Sequence, residues 1–142
     1  MPLQALGARV FSIEEANALL PRLSRLVEAQ LQLGEEIQSL VGELWREPSR
    51  PPSAQGSEGE EVVDVTVRPE DSERVRELKL RLSRRAQAYR EGWQAVTRTG
   101  VVVKDATRGL LDFYGRVDDR LVWLCWRFGE PTIGFYHELD RG

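Results

Sequence analysis

Leucines recur every seven residues in the first third of the chain, at Leu19, Leu26, Leu33 and Leu40, interleaved with Leu23, Gln30, Ile37 and Leu44. This alternating four-three spacing is the seam pattern of helices packed side by side, with Gln30 as its polar member. Leu20, Val27, Leu31 and Val41 widen the seam into a stripe, which suits a bundle better than a bare coiled coil. Just upstream, Phe11-Ser12-Ile13-Glu14-Glu15-Ala16 reads as a capping box: Ser12 and Glu15 exchange hydrogen bonds with each other's amides while Phe11 staples onto Ala16. Helix one is therefore predicted over 13–46, with a kink near Asn17 to Pro21, because Pro21 has no amide to give the Asn17 carbonyl.

Residues 47–61 combine prolines with Gly, Ser and acidic residues and offer little to bury, so a mobile loop is expected there. Val63, Val65 and Val67 then alternate with Asp64 and Thr66, which fits either a short edge strand or an extended lead into the next helix. Pro69 suits a first helical turn, Glu70, Asp71 and Glu73 favour the positive end of a helix dipole, and Val75, Leu78, Leu82, Tyr89, Trp93 and Val96 keep helical spacing. Helix two is predicted over 70–99.

Beyond Gly100 the pattern changes to short runs of strand composition: Val101 to Val103, Leu110 to Phe113, Leu121 to Phe128 and Thr132 to Leu139. Phe128 to Pro131 reads as a tight turn, and Tyr114 to Asp119 as the link between the preceding pair. The expected fold is α+β, a long antiparallel helical hairpin followed by an antiparallel β-meander of three to four strands over 101–139, in one domain spanning 1–142. A helix of this length is about 50 Å long, against roughly 40 Å for a compact body of this size, so the hairpin is expected to protrude. Covering its apolar stripe calls for a homodimer, with Leu19, Leu26, Leu33, Ile37 and Leu40 forming the dimer or hairpin seam.

Charge narrows the partners. The 142 residues hold 20 Lys and Arg against 23 Asp and Glu, a net charge of -3, so no surplus positive field draws in nucleic acid. The densest basic cluster, Arg81, Arg84 and Arg85, shares its helix with Glu73, Glu77 and Glu91 and reads as a solvated face. A single cysteine, Cys125, excludes an internal disulfide and fits a reducing compartment. With no 18-residue apolar run and no signal-like start, the expectation is a cytoplasmic protein that does not span a membrane.

Four segments, Phe11 to Leu23 (FSIEEANALLPRL), Val103 to Phe113 (VKDATRGLLDF), Leu124 to Glu130 (LCWRFGE) and Ile133 to Asp140 (IGFYHELD), together resemble a bacterial family catalogued as domain of unknown function 2203. The resemblance covers nearly the whole chain and is most specific in the C-terminal motifs. It implies a small cytoplasmic prokaryotic protein without an assigned reaction. Its signature polar residues fall on Lys104, Asp105, Gly109, Asp112, Cys125, Trp126, Arg127, Gly129, Glu130, His137 and Glu138. Members often continue past the last motif, whereas this sequence ends at Gly142.

No Gly-rich phosphate loop, paired Cys or His metal spacing, or serine nucleophile elbow is present. His137 is the single histidine; by alternation it shares a strand face with Phe135, with Glu138 and Tyr136 on the other. If Asp112 lies within reach, the pair could hold a divalent metal or act as general acid and base; the competing reading is a structural histidine. Lys104, Asp105, Arg127 and Glu130 complete the candidate ligand or metal site, with Asp105 equally suited to capping its own turn. Cys125 reads as a nucleophile if an electropositive setting lowers its pKa, and otherwise as a small buried hydrophobe. Two functions follow: a homodimeric, non-catalytic interaction or scaffold module receiving a protein partner, or a small-ligand or divalent-metal-binding protein, possible as an enzyme, built on Asp112 and His137. Neither a cofactor nor a catalytic residue is specified by the motifs.

Overall fold

The computed structural model describes residues 9–48 and 63–139. From residue 49 on, the loop expected at 47–61 lies outside the described residues. Two helices, α1 (Ile13–Arg46) and α2 (Glu73–Arg98), precede four strands, β1 (Val102–Asp105), β2 (Leu110–Val117), β3 (Arg120–Arg127) and β4 (Phe135–Glu138). The strands pair in chain order, every pair antiparallel, which makes the expected α+β arrangement of helical hairpin and meander. The chain folds as two compact units, Gln32–Arg90 and the remainder on either side of it. No helix among the described residues is long and apolar enough to cross a membrane.

The capping box forms as the sequence predicts: the Glu15 amide donates to Ser12 Oγ at 3.0 Å, and the Ser12 amide to Glu15 Oε1 at 2.9 Å. Those bonds from Ser12 hold the Glu15 carboxyl below its usual range. Phe11 and Ala16 are both fully buried. Phe11 also joins the sheet, its amide donating to the Tyr114 carbonyl at 2.8 Å and its carbonyl accepting from the Arg116 amide at 3.0 Å. The helix N-terminus is thereby tied to β2 just beyond the reach of β1. Pro21 lies inside α1 without ending it, and Asn17 Oδ1, one turn earlier, accepts from the Ile133 amide at 2.8 Å.

The predicted row Leu23, Gln30, Ile37 and Leu44 faces inward, while Leu20 and Val27 are buried in place of their neighbours Leu19 and Leu26. Ala16, Leu20, Leu23, Val27 and Gln30 are buried, then Leu40 and Leu44, while Leu19, Leu26, Leu33 and Ile37 are only partly covered. One row reads Ala16, Leu23, Gln30, Ile37, Leu44, and the other Leu20, Val27, Gly34, Val41. Gly34 breaks the second row to the eye, yet a Cβ there would lie 3.6 Å from the Tyr89 ring, so glycine makes room for that ring on the facing helix. In the Gln32–Arg90 unit, Leu40 and Leu44 cluster with Val75, Leu78 and Leu82, with Ile37, Val41, Val63 and Val65 packed against them.

The second helix begins at Glu73, three residues later than the acidic run suggests. Ser72 is the cap, its Oγ accepting from the Val75 amide at 3.1 Å. Pro69 stays in the turn before it, because Asp71 is engaged elsewhere: it accepts from the Arg68 amide and from Lys79 Nζ, each at 2.8 Å. Lys79 Nζ also donates to the Thr66 carbonyl, and both side chains of this ion pair are buried. Residues 63–67 form no strand; they are the extended lead-in that this buried clasp secures. In the same unit Arg85 pairs with Glu36 at 2.8 Å and Arg81 with Glu77 at 3.9 Å, as a solvated charged face does.

In the other unit, one face of the sheet presents Leu111, Phe113, Val122, Leu124 and Trp126 to Phe11, Leu20, Leu23, Val27, Val96 and Val101, with Trp93 packed against the cluster. The link expected over Tyr114 to Asp119 is much shorter than that. β2 continues to Val117, and the hairpin turns on Asp118 and Asp119 alone, at φ +49° and +62°. Two successive left-handed residues make the type I′ geometry whose twist matches the flanking strands, and aspartate tolerates that region better than most side chains.

Gly109 opens β2 at φ +67°, where a Cβ would stand 2.8 Å from Phe128 Cβ and 3.2 Å from Val27 Cγ1. Gly109→Ala is expected to cost about 2 kcal/mol or more, from left-handed backbone strain plus that clash. Urea denaturation of the variant checks this; an unchanged midpoint would contradict it.

Candidate metal centre

The Asp118-Asp119 turn fixes the register of β2 on β3 so that Asp112 faces Cys125 and Tyr114 faces Trp123. On the far side of β3, Trp123 faces His137 and Cys125 faces Phe135. Side chains alternate along each strand, so Asp112, Cys125, Trp123, His137 and Phe135 all share the face turned away from the helical core. Asp112 and His137 are not on neighbouring strands; they meet diagonally across β3, with Cys125 between them.

One ligand atom from each of Asp112, Cys125 and His137 lies within 4.8 Å of the other two. His137 Nε2 is 3.8 Å from Asp112 Oδ2, too far for a hydrogen bond, and is buried with no hydrogen-bond partner among the described residues. The other ring nitrogen, Nδ1, stands 3.1 Å from the Glu138 carbonyl. A carbonyl only accepts, so Nδ1 carries the proton of the neutral ring and Nε2 presents a bare lone pair to the cluster. This orientation by a backbone carbonyl is the one metal-binding histidines use.

The Cys125 thiol is pushed up to about 11, first by burial and then by the Asp112 carboxylate, with Lys104 opposing. A thiol of that kind is protonated at neutral pH, and the nucleophile reading loses its premise. In metal-free protein, alkylation of Cys125 is expected to be slow at pH 8 and to climb about tenfold per pH unit toward pH 11. Asp112→Asn should move the profile to lower pH. A wild-type midpoint near that of a free cysteine would contradict both statements.

The remaining predicted site residues divide. Lys104, Arg127 and Glu130 line a cleft of about 270 Å³ with Asp112, Cys125 and Phe135. Asp105 serves its own turn: its Oδ1 accepts from the Arg108 amide at 3.2 Å, and Oδ2 lies 3.7 Å from the Arg108 guanidinium. Glu130 closes the turn after β3, its Oε1 accepting from the Arg127 amide at 2.6 Å and its carbonyl from Trp126 Nε1 at 2.9 Å. Glu138 points to the opposite face, 3.3 Å from Arg120. The residue that sequence reasoning left outside the site is Cys125. Counting back equally from a turn at Asp118-Asp119 would have placed it opposite Asp112.

The model of a family described as an uncharacterized conserved protein, DUF2203, matches residues 9–142. No curated protein and no solved structure matches the chain.

Proposed function

The chain belongs to the uncharacterised DUF2203 family, which assigns no chemistry, and from the geometry of its sheet we propose that it binds one divalent transition metal through Asp112, Cys125 and His137. The observation that carries the reading is the buried, unpartnered Nε2 of His137, its ring held by the Glu138 carbonyl and its lone pair turned toward a carboxylate and a thiol. One nitrogen, one sulfur and one oxygen donor suit zinc or its neighbours rather than magnesium or calcium, which take oxygen ligands. Tetrahedral zinc draws its donors to about 3.3–3.6 Å from one another, so the 3.8 Å between Nε2 and Oδ2 needs little closure. Three protein ligands leave a fourth position for water or a ligand, the arrangement of reactive rather than purely structural zinc.

Titrating metal-stripped protein with zinc against a chromophoric chelator tests this. One equivalent should bind with a Kd below about 1 µM, and Cys125→Ala should lose that affinity. Absence of competition at that level would overturn the reading.

A homodimeric interaction module is the second reading, and edge strand β4 favours it. Its one partner among the described residues is β3, and Phe135, Tyr136 and Leu139 are 71%, 47% and 40% exposed. An open, apolar edge of this kind is a template for a second strand. Under this reading Phe135→Asp converts a dimer to monomer in light scattering; a wild-type monomer would dispose of it.

A further inference from the structure

Resting on the metal reading, we infer that the cleft beside Asp112 and Cys125 takes a small organic monocarboxylate, one oxygen on the metal and the carboxylate held between Lys104 and Arg127. Both cations line the cleft with Asp112 and Cys125, and neither pairs with a carboxylate among the described residues. Glu130, the other acid there, has one carboxylate oxygen committed to the Arg127 amide.

Charge selects the valence of the guest. A divalent ion with Lys104 and Arg127, set against Asp112, Glu130 and a metal-bound Cys125 thiolate, leaves one positive charge for the ligand to neutralise. A carboxylate matches it, whereas phosphate at neutral pH carries closer to two charges. Size and lining select the rest. About 270 Å³ lies just under the range of drug-sized and cofactor pockets, which suits a small guest. Phe135 and Leu110 supply an apolar wall, and Phe135 is 71% exposed. A short hydrocarbon tail lying on that wall would gain about 0.8 kcal/mol per buried methylene, roughly fourfold in affinity.

The test uses full-length protein loaded with cobalt, whose visible spectrum reports changes at the open coordination position. Titration with butyrate should shift the spectrum at lower concentration than acetate, by about fifteenfold for the two added methylenes, and at lower concentration than inorganic phosphate. Replacing both Lys104→Ala and Arg127→Gln should weaken butyrate at least tenfold and leave cobalt affinity within threefold of wild type. Phe135→Ser should erase the preference of butyrate over acetate. Cobalt that loads without any spectral response to butyrate overturns this inference alone, as does a preference for phosphate. Protein that fails to load cobalt overturns the metal reading and this inference with it.

Discussion

His137→Ala is expected to lower zinc affinity by more than about 100-fold while leaving the protein folded. Loss of a supporting group around a bound metal already costs 10–100-fold, and loss of a ligand costs more. The fold should survive because His137 sits on edge strand β4, contributes no hydrophobic contact to the helix-packed core, and has its Nε2 unbonded. Glu138→Ala is the matched control: its side chain points to the other face, toward Arg120, and zinc affinity should stay within about threefold of wild type. Removing Glu138's side chain leaves its carbonyl in place, so the bond that orients the imidazole persists. Equal losses in the two variants would mean that β4 unfolds rather than that a ligand is missing.

The largest stability effect should follow Phe11→Ala, at about 3–5 kcal/mol, the range for removing a buried aromatic ring. Phe11 has no exposed surface. Its ring stands edge-on to Phe113, centroids 5.1 Å apart and planes at 87°, and the Arg9 guanidinium lies 4.2 Å above it. A Cβ at Gly100 would lie 3.3 Å from its ring tip, so the cavity would open among close neighbours that have little freedom to collapse. The backbone bonds of Phe11 to Tyr114 and Arg116 are unaffected by the substitution, which isolates the ring's contribution. Urea denaturation followed by circular dichroism measures it; a loss below about 1 kcal/mol would show that the ring is not part of the core.

Much of this fold was legible in the chain because local signals agreed. Ser12 and Glu15 announced the start of α1 by chemistry that involves only four residues, and that bond pair is present as drawn. Where the reading missed, a distant contact had the last word. Pro69 and Glu70 look like a first helical turn, but Asp71 is drawn into a buried pair with Lys79, eight residues on, and Ser72 takes over the cap. The leucine heptads stood out by repetition, while the row beside them, Leu20 and Val27, continues to Gly34, whose role is set by Tyr89 on the other helix. Phe11's bridge to β2 spans about a hundred residues of sequence and leaves no periodic trace.

The candidate site was half legible for the same reason. Alternation correctly set His137 with Phe135 and apart from Glu138, since the side-chain period of a strand is local. Which residues stand across from them is a matter of register, and register here hangs on two aspartates without the glycine that usually advertises a type I′ turn. With the turn spread over Tyr114 to Asp119, Asp112 could be given no partner. With it placed at Asp118-Asp119, the pairing with Cys125 follows.

X-ray absorption at the zinc edge of protein loaded with one equivalent of zinc tests the ligand set of Asp112, Cys125 and His137, because it identifies the donor atoms rather than their consequences. One sulfur is expected at about 2.3 Å with nitrogen or oxygen neighbours at about 2.0–2.1 Å, the sulfur vanishing in Cys125→Ser. A shell of oxygen and nitrogen alone in the wild-type protein would contradict it.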